Sequence, residues 1–313
     1  QEDYGTFLQV CLISMLLGTI IPFGLPQSVF YFVPNMNAKR QNAFVLRTLN
    51  VLLLLGLLGA FVVYVGRHFV AEWIKNPHMS DLAGLIGGLI VLGILSDTTD
   101  CIMLSFRKAR VLAIVLLMKA LVRMAGTLVP LLLMGSGLYG VLLGINIALG
   151  LEAILVYGYF ANKARASLAA TEKSPLSEQI SYSWPLGLSM LVGMLGLNID
   201  RLIISTSYTP DEYAVYARGA FDLPFVGMLP ALLMDLILPR CAELWARNEK
   251  AEMMRLVKES MRRAALVLYP IGFVCFVLAD EIIVVLFTNV YSASVPIFRI
   301  QLLTVLFQVM TLD

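Results

Sequence analysis

Long apolar stretches separated by short polar segments dominate the chain, and they predict transmembrane helices. A spanning helix needs about 20 mostly apolar residues. The stretches that fit lie at 7–33, 45–66, 82–105, 110–133, 138–160, 182–207, 212–238, 262–279 and 293–312. They lack the period-two alternation of a lipid-facing barrel strand, and helices satisfy the backbone in hydrocarbon. The pattern therefore predicts an all-α polytopic membrane protein with about nine transmembrane helices.

The positions of the basic residues predict the orientation, because Lys and Arg collect in short cytoplasmic loops. Sixteen of the 23 Lys and Arg residues fall in four alternate loops or at the adjoining ends of the spans, whereas the intervening loops hold only Arg67 and Lys75. We therefore expect the start of the chain outside and the segments 163–178 and 240–263 in the cytoplasm. Apolar residues among the many charges of 240–262 predict an amphipathic interfacial helix there.

Composition excludes other classes of protein. Hydrophobic residues make up 59% of the 313 residues and charged residues 14%. Soluble domains carry roughly 25% charged residues. This chain has too few charged residues to cover the water-exposed surface of a soluble protein of its size. Intrinsic disorder is also excluded, because disordered chains have low hydrophobicity. The formal net charge of +2 also argues against a dense basic face, and no nucleic-acid partner is expected.

A weak internal repeat predicts two pseudo-symmetric lobes of six helices. The motif at 3–7 and its counterpart at 212–216 lie 209 residues apart, and each leads into a helix that contains proline. Segments 71–76 and 284–289 repeat at a similar offset. The 182–207 helix has no partner in the first half, so we expect a fragment that lacks the first helix and the C-terminal helices of a longer chain.

The repeat and the polar, breaker-rich segment between the halves predict the domain boundaries. We expect an N-terminal lobe at 1–160, without its first helix, and a cytoplasmic linker at 161–178. A truncated C-terminal lobe follows at 179–313.

Ionisable side chains inside predicted spans each need an explanation, because inserting one costs at least about 2.5–3.5 kcal/mol. Lys119 and Arg123 are four residues apart, hence on one helix face, and no acid lies on the same helix. We predict a water-filled, positively lined cavity around them. Such a cavity suits an anionic, partly lipidic substrate with a phosphate head group.

Other ionisable residues are candidates for the same pathway. Asp97 and Asp100 share a face of the preceding helix, and they either neutralise the basic pair or bind coupling cations. The competing interpretation is that these ionisable residues pair with one another and only hold helices together. We favour it for Arg218 with Asp222. The remaining candidates are Arg201 and Arg218 for the substrate cavity, and Asp200, Asp222 and Glu152 for coupling or charge pairing.

No enzymatic or metal chemistry is predicted. No lysine follows a glycine, which excludes a phosphate-binding P-loop, and the four cysteines form no CxxC motif. His68 and His78 have no Cys or His partner at ligand spacing. We expect no catalytic residue, no metal and no cofactor, and the sequence leaves coupling to H⁺ or Na⁺ open.

Several short motifs, taken in order, resemble those of a known family. They are DYG at 3–5, FGLP at 23–26, NIDRLIIS at 198–205, TPDEYAVYA at 209–217, LP at 238–239, and DEII at 280–283 followed by Tyr291. Their order and spacing resemble the polysaccharide exporters of the multidrug/oligosaccharidyl-lipid/polysaccharide superfamily, which includes the O-antigen flippases.

The resemblance implies two MATE-like six-helix lobes around a central cavity, with 12–14 helices in the whole protein. It implies alternating-access movement of a polyprenyl-pyrophosphate-linked oligosaccharide across a bacterial or archaeal cytoplasmic membrane, for O-antigen, capsule or exopolysaccharide synthesis. Asp200 and Arg201 match the family's Asp-Arg pair, whose role the motif does not define. Expected partners are the lipid-linked oligosaccharide, membrane lipids, a polysaccharide polymerase and glycosyltransferases.

Three other functions remain open at this point. A MATE-like, cation-coupled exporter of drugs or small molecules would have an acid-dominated cavity. A membrane glycosyltransferase or polymerase would need a sizeable polar external loop with acids, and the longest predicted outer loop is 67–81. A purely structural membrane component is the third alternative.

Overall fold

A computed structural model describes residues 2–106, 109–132, 135–165, 176–221, 223, 237, 240–241, 243–245 and 247–308. Every regular element among these residues is helical. Seven of the helices are long and apolar enough to cross a membrane. The expectation of an all-α polytopic membrane protein is therefore confirmed.

The first compact unit covers Gln1–Asp211. Its helices are α1 (Glu2–Ile20), α2 (Leu25–Phe32), α3 (Ala38–Val65), α4 (Arg67–Trp73), α5 (His78–Ser105), α6 (Ala109–Leu132), α7 (Gly137–Arg165) and α8 (Leu176–Ser207). A short 3-10 turn, Val33–Asn35, follows α2. The long apolar runs of the sequence account for these long helices, since only internal backbone hydrogen bonds satisfy a chain in hydrocarbon.

The second compact unit covers Glu212–Asp313. Its described helices are α9 (Pro210–Gly219, which begins at the boundary), α10 (Lys250–Val277), α11 (Ala279–Phe287) and α12 (Val295–Gln308), with a 3-10 segment at Asn289–Ser294. Leu268, Ile283 and Phe298 are fully buried in its core.

Seven of the predicted spans coincide with helices long enough to cross a membrane. The predicted span 212–238 lies largely outside the described residues. In the described part of the predicted span 293–312, helix α12 has 14 residues.

The single helix predicted over 7–33 is wrong in one respect, because the chain breaks between α1 and α2. Phe23 and Gly24 adopt positive φ values of 42° and 78°, directly after Pro22. A Cβ atom on Gly24 would lie 2.7 Å from the backbone nitrogen of Gly187 on α8. Glycine is therefore required here both by its conformation and by the close approach of α8.

The boundary predicted between an interfacial helix at 240–262 and a span at 262–279 is also wrong. Helix α10 runs without interruption from Lys250 to Val277. The sequence from Lys250 to Tyr269 contains neither glycine nor proline, so nothing ends the helix where its polar part meets its apolar part.

Helix α5 lies at the centre of the first unit and packs against α1, α2, α3, α4, α6 and α7. Ile86, Ile90, Ile94 and Ile102 are at most 1% exposed along its length. Lipid is as apolar as these side chains, so close packing and hydrogen bonds hold such helices together.

Helix α8 belongs to the first compact unit, where it packs on α1 and α2. Tyr182 stacks on Tyr31 at 4.6 Å between ring centres, and Trp184 lies 4.9 Å from Phe23. Most of the predicted linker, 166–175, lies outside the described residues. The compact units are defined by packing, whereas the predicted lobes are defined by a sequence repeat. The units therefore do not test the division into six-helix lobes, which stays a prediction.

Candidate functional site: a charged cluster among three helices

Helices α6 and α7 approach each other closely enough for side chains on both to meet α5. A Cβ atom on Gly144 of α7 would lie 1.9 Å from the carbonyl oxygen of Gly126 on α6. Only glycine at both positions permits this spacing. Gly126 lies three residues from Arg123 on α6, and Gly144 lies about two turns from Glu152 on α7.

Six side chains of α5, α6 and α7 form what we call the charged cluster: Ser96, Asp97, Asp100, Lys119, Arg123 and Glu152. Lys119 is at its centre and only 8% exposed. Its Nζ lies 2.7 Å from Asp100 Oδ1 and 2.9 Å from Glu152 Oε1, and it donates to the Ser96 carbonyl oxygen at 3.1 Å. An ammonium group has three donors, so these three partners satisfy it completely.

Arg123 and Ser96 form the second layer of the cluster. Arg123 Nη2 donates to Ser96 Oγ at 2.5 Å and lies 3.7 Å from Glu152 Oε2. Ser96 Oγ in turn donates to Glu152, with distances of 2.8 and 3.0 Å to the two carboxylate oxygens. The Arg123 side chain is 44% exposed, whereas that of Glu152 is 12% exposed. Part of Arg123 is thus accessible while its partner is enclosed.

The expectation of a positively lined cavity around unpaired Lys119 and Arg123 is corrected by this geometry. Their own helix carries no acid, but α5 and α7 supply Asp100 and Glu152 as direct partners. Asp97 also acts electrostatically on both basic groups. Two carboxylates therefore contact the two cations and a third acts on them electrostatically, and any role of these residues in binding substrate stays a prediction.

Glu152 is the residue whose importance the sequence analysis underestimated, since it was treated as one of several candidate acids. Glu152 lies 13 residues before the end of α7, and Lys119 lies 10 residues after the start of α6. At about 1.5 Å per residue, the two reach similar depths of roughly 20 and 15 Å. The similar depths of Lys119 and Glu152 in the membrane could have indicated that they pair. Using this signal would have required knowing that α6 and α7 are neighbours.

Of the remaining predicted site residues, the structure describes Asp200, Arg201 and Arg218. Asp200 is exposed and Arg201 half-buried on α8, which packs on α1 and α2. Arg218 belongs to the second unit, where its guanidinium carbon lies 4.3 Å from the centre of the Phe287 ring and 5.9 Å from that of Tyr291. Asp222, the predicted partner of Arg218, lies outside the described residues.

A buried network without charged groups joins the C-terminal end of α8 to α1 and to the segment before α5. This Gln9 network consists of Thr6, Gln9, Asn76 and Ser205, each at most 1% exposed. Asn76 Nδ2 donates to Gln9 Oε1 at 2.7 Å and to Thr6 Oγ1 at 2.8 Å, and Gln9 Nε2 donates to the Ser205 carbonyl oxygen at 3.3 Å.

A second network joins the N-terminal end of α8 to α2 and α3. This Gln179 network consists of Ser28, Arg47, Thr48 and Gln179. The Gln179 amide donates to Ser28 Oγ at 2.9 Å and to Thr48 Oγ1 at 3.0 Å, and it accepts from Arg47 Nη2 at 3.2 Å. Both networks were missed from sequence, although the isolated Gln9 inside an apolar run was a visible signal for the first of them.

Among the residues that the structure describes, no group of His, Cys, Asp and Glu has a geometry that could hold a metal ion. Seven long apolar helices with ionisable groups buried among three of them define a multi-pass helical membrane protein.

Comparison with known proteins identifies the family more closely. The model of a family described as polysaccharide biosynthesis protein matches residues 1–296, and the chain belongs to that family. The match confirms the resemblance to polysaccharide exporters. No curated protein and no solved structure gives a significant match.

Proposed function

We propose that the protein is a flippase that moves a polyprenyl-pyrophosphate-linked oligosaccharide from the inner to the outer leaflet by alternating access. In this proposal it lies in the cytoplasmic membrane of a bacterium or archaeon and serves O-antigen, capsule or exopolysaccharide synthesis. Glycosyltransferases supply its substrate and a polymerase consumes its product. Membership of a polysaccharide biosynthesis family and seven helices able to span a membrane support a transporter rather than an enzyme.

The observation that carries the proposal is the charged cluster. Ionisable groups inside a membrane protein are costly and mark substrate or ion pathways. Arg123 is the accessible cation of the cluster, so we assign to it the contact with the pyrophosphate. A guanidinium group suits this task, because its planar fork of donors matches two phosphate oxygens at once.

Lys119 acts behind Arg123 as a positioning residue. Its ammonium group is saturated by Asp100, Glu152 and the Ser96 carbonyl oxygen, so it orients the two acids rather than contacting substrate. A pyrophosphate at Arg123 competes with Glu152 for the guanidinium group. Glu152 or Asp97 then takes up H⁺ or Na⁺, which links substrate binding to the coupling ion.

Arg201 and Arg218 remain proposed contributors to the substrate cavity, and Asp200 and Asp222 remain proposed charge-pairing or coupling residues. Asp200 and Arg201 keep this place because they match the Asp-Arg pair of the family that the chain resembles.

A cation-coupled exporter of drugs or small molecules is the second candidate function. One observation favours it: three carboxylates against two cations give the cluster the acidic balance expected of such a site. The family match favours the polysaccharide substrate, so the two candidates are separated by measuring which substrate accumulates when the protein is inactive.

The test uses the full chain in cells whose own flippase gene is deleted. We expect Lys119→Met combined with Arg123→Gln to abolish surface polysaccharide and to leave lipid-linked oligosaccharide accumulated on the inner leaflet. The matched control is Arg263→Gln, which removes a cation from the exposed pair with Glu259 on α10. Immunoblotting of membranes checks that each variant is inserted.

Unchanged surface polysaccharide in the double variant would remove Lys119 and Arg123 from the site. Normal polysaccharide together with increased drug sensitivity would favour the exporter of small molecules instead.

A further inference from the structure

A cavity of about 430 Å³ lies between the ends of α3, α5 and α7, on the predicted cytoplasmic side. It is of the size of small-molecule sites, which occupy about 300–1,000 Å³. Tyr159 on its wall lies seven residues beyond Glu152 along α7. The lining begins with Leu155 and Val156, three and four residues beyond Glu152 or about 5 Å along the helix, and none of the described lining residues belongs to the charged cluster.

Aromatic and aliphatic side chains form the floor of this cavity. Phe160 is 1% exposed, and its ring stacks on that of Phe106 at 6.2 Å with an angle of 18° between the planes. Met103 adds a flexible apolar wall. Leu155 at the edge is 74% exposed, so the cavity opens along a face of α7 that meets hydrocarbon in a spanning helix.

Polar groups are confined to the end of the cavity nearest the predicted membrane surface. Lys163 Nζ donates to the Tyr159 hydroxyl and lies 4.3 Å from the centre of the Tyr159 ring. Asn42 of α3 provides an amide on the opposite wall. Lys163 is one turn beyond Tyr159, which is where a lysine reaches for the head-group layer of a membrane.

We propose that this cavity binds an anionic phospholipid of the surrounding membrane. One acyl chain lies against Met103, Phe106 and Phe160, and the phosphate is bound by the Lys163 ammonium, with the Asn42 amide as a further donor. Basic pockets between helices on the cytoplasmic side are typical sites for anionic head groups.

An anionic phospholipid matches both ends of the cavity. Its acyl chain suits the apolar floor that opens towards hydrocarbon, and its phosphodiester supplies a negative charge for Lys163 at the polar end. The proposal is therefore independent of the transport function argued above.

The test measures binding of phosphatidylglycerol and phosphatidylcholine to the purified full chain by native mass spectrometry. We expect phosphatidylglycerol to bind more tightly to the unaltered protein, and Lys163→Gln to weaken that binding about tenfold by removing a charge-assisted contact. Lys250→Gln is the matched control, because Lys250 also lies over an aromatic ring, that of Trp245 on the neighbouring segment, at 4.9 Å.

A second variant tests the acyl-chain contact without changing charge. Met103→Trp fills the apolar wall, and we expect it to lower the binding of both lipids while the lipid-free melting temperature stays within a few degrees. Equal binding of the two lipids to the unaltered protein would overturn the proposal. So would an equal loss in the Lys250 control, or displacement of phosphatidylglycerol by stoichiometric polyprenyl pyrophosphate.

Discussion

The charged cluster and the Gln9 network both join helices of the first unit, yet the polar groups that make their contacts differ in kind. In the Gln9 network, amides and a hydroxyl pair with one another and with a backbone carbonyl, and no charge is left over. In the charged cluster, two cations are balanced against three carboxylates, and Arg123 stays partly accessible.

The difference between the two sites indicates a different role for each. Burying amides that are fully hydrogen-bonded costs little and holds α1, α8 and the segment before α5 together. A buried ion pair often costs more in desolvation than it returns in attraction, and apolar residues in its place are commonly neutral or stabilising. We therefore interpret the neutral network as structural and the charged cluster as functional.

The largest expected effect on stability and export comes from removing the central cation of the charged cluster while its acids remain. Lys119→Met leaves Asp100 and Glu152 without their central cation, and we expect a loss of about 3–5 kcal/mol in the free energy of unfolding, with no export. Adding Glu152→Gln should restore part of the stability but none of the export. Denaturation in detergent and a surface-polysaccharide assay measure the two quantities, and recovery of export in the double variant would contradict a functional cluster.

A smaller effect is expected from separating the helices that carry the cluster. Gly144→Ala places a methyl group within 1.9 Å of the Gly126 carbonyl oxygen, so α6 and α7 must move apart. We expect a loss of about 1–3 kcal/mol, the usual cost of overpacking, and reduced export because Lys119 and Glu152 are drawn apart. Gly158→Ala on the same helix is the control, since a Cβ there meets nothing within 4 Å.

Breaking the Gln9 network should lower stability without a specific loss of export. Gln9→Leu removes the acceptor of Asn76 and the donor to Ser205, and we expect a loss of up to about 2 kcal/mol. Export per folded molecule should stay unchanged. A double-mutant cycle with Asn76→Leu should give less than the sum of the single effects. An export defect larger than the loss of folded protein would show that this network also takes part in transport.

The smallest effect is expected in the Gln179 network. Thr48→Val removes one hydrogen bond from the Gln179 amide, and hydrogen bonds between membrane helices contribute about 0.6 kcal/mol on average. Thr304→Val is the control, because among the described residues its hydroxyl bonds within α12, to the Gln301 carbonyl oxygen. A loss above about 2 kcal/mol, beyond the range measured for such bonds, would place this network with the charged cluster rather than with the Gln9 network.

Apolar run length predicted the long helices well, because a helix in hydrocarbon must continue while the side chains remain apolar. Helices α5, α6 and α7 accordingly contain the predicted spans almost completely. The break at Phe23 and Gly24 was not predicted, since it depends on the backbone of α8 approaching from a distant part of the sequence.

The sequence allowed only some of the residues of the charged cluster to be predicted. Lys119 and Arg123 stood out because they interrupt an apolar run and share a helix face. Their partner Glu152 could not be assigned, because a single helix pattern does not tell which helices are neighbours or how they are rotated. The family resemblance, in contrast, rested on the order and spacing of short motifs and was confirmed.

The contact between Gly24 and Gly187 has a mechanical consequence. At that point the backbones of the α1–α2 junction and of α8 touch directly, with the Gly187 nitrogen 2.7 Å from where a Gly24 Cβ would lie. The Phe23 ring reaches the same point, with its Cδ1 atom 2.6 Å from where a Gly187 Cβ would lie. A side chain larger than glycine on either side would therefore push α8 away from the junction.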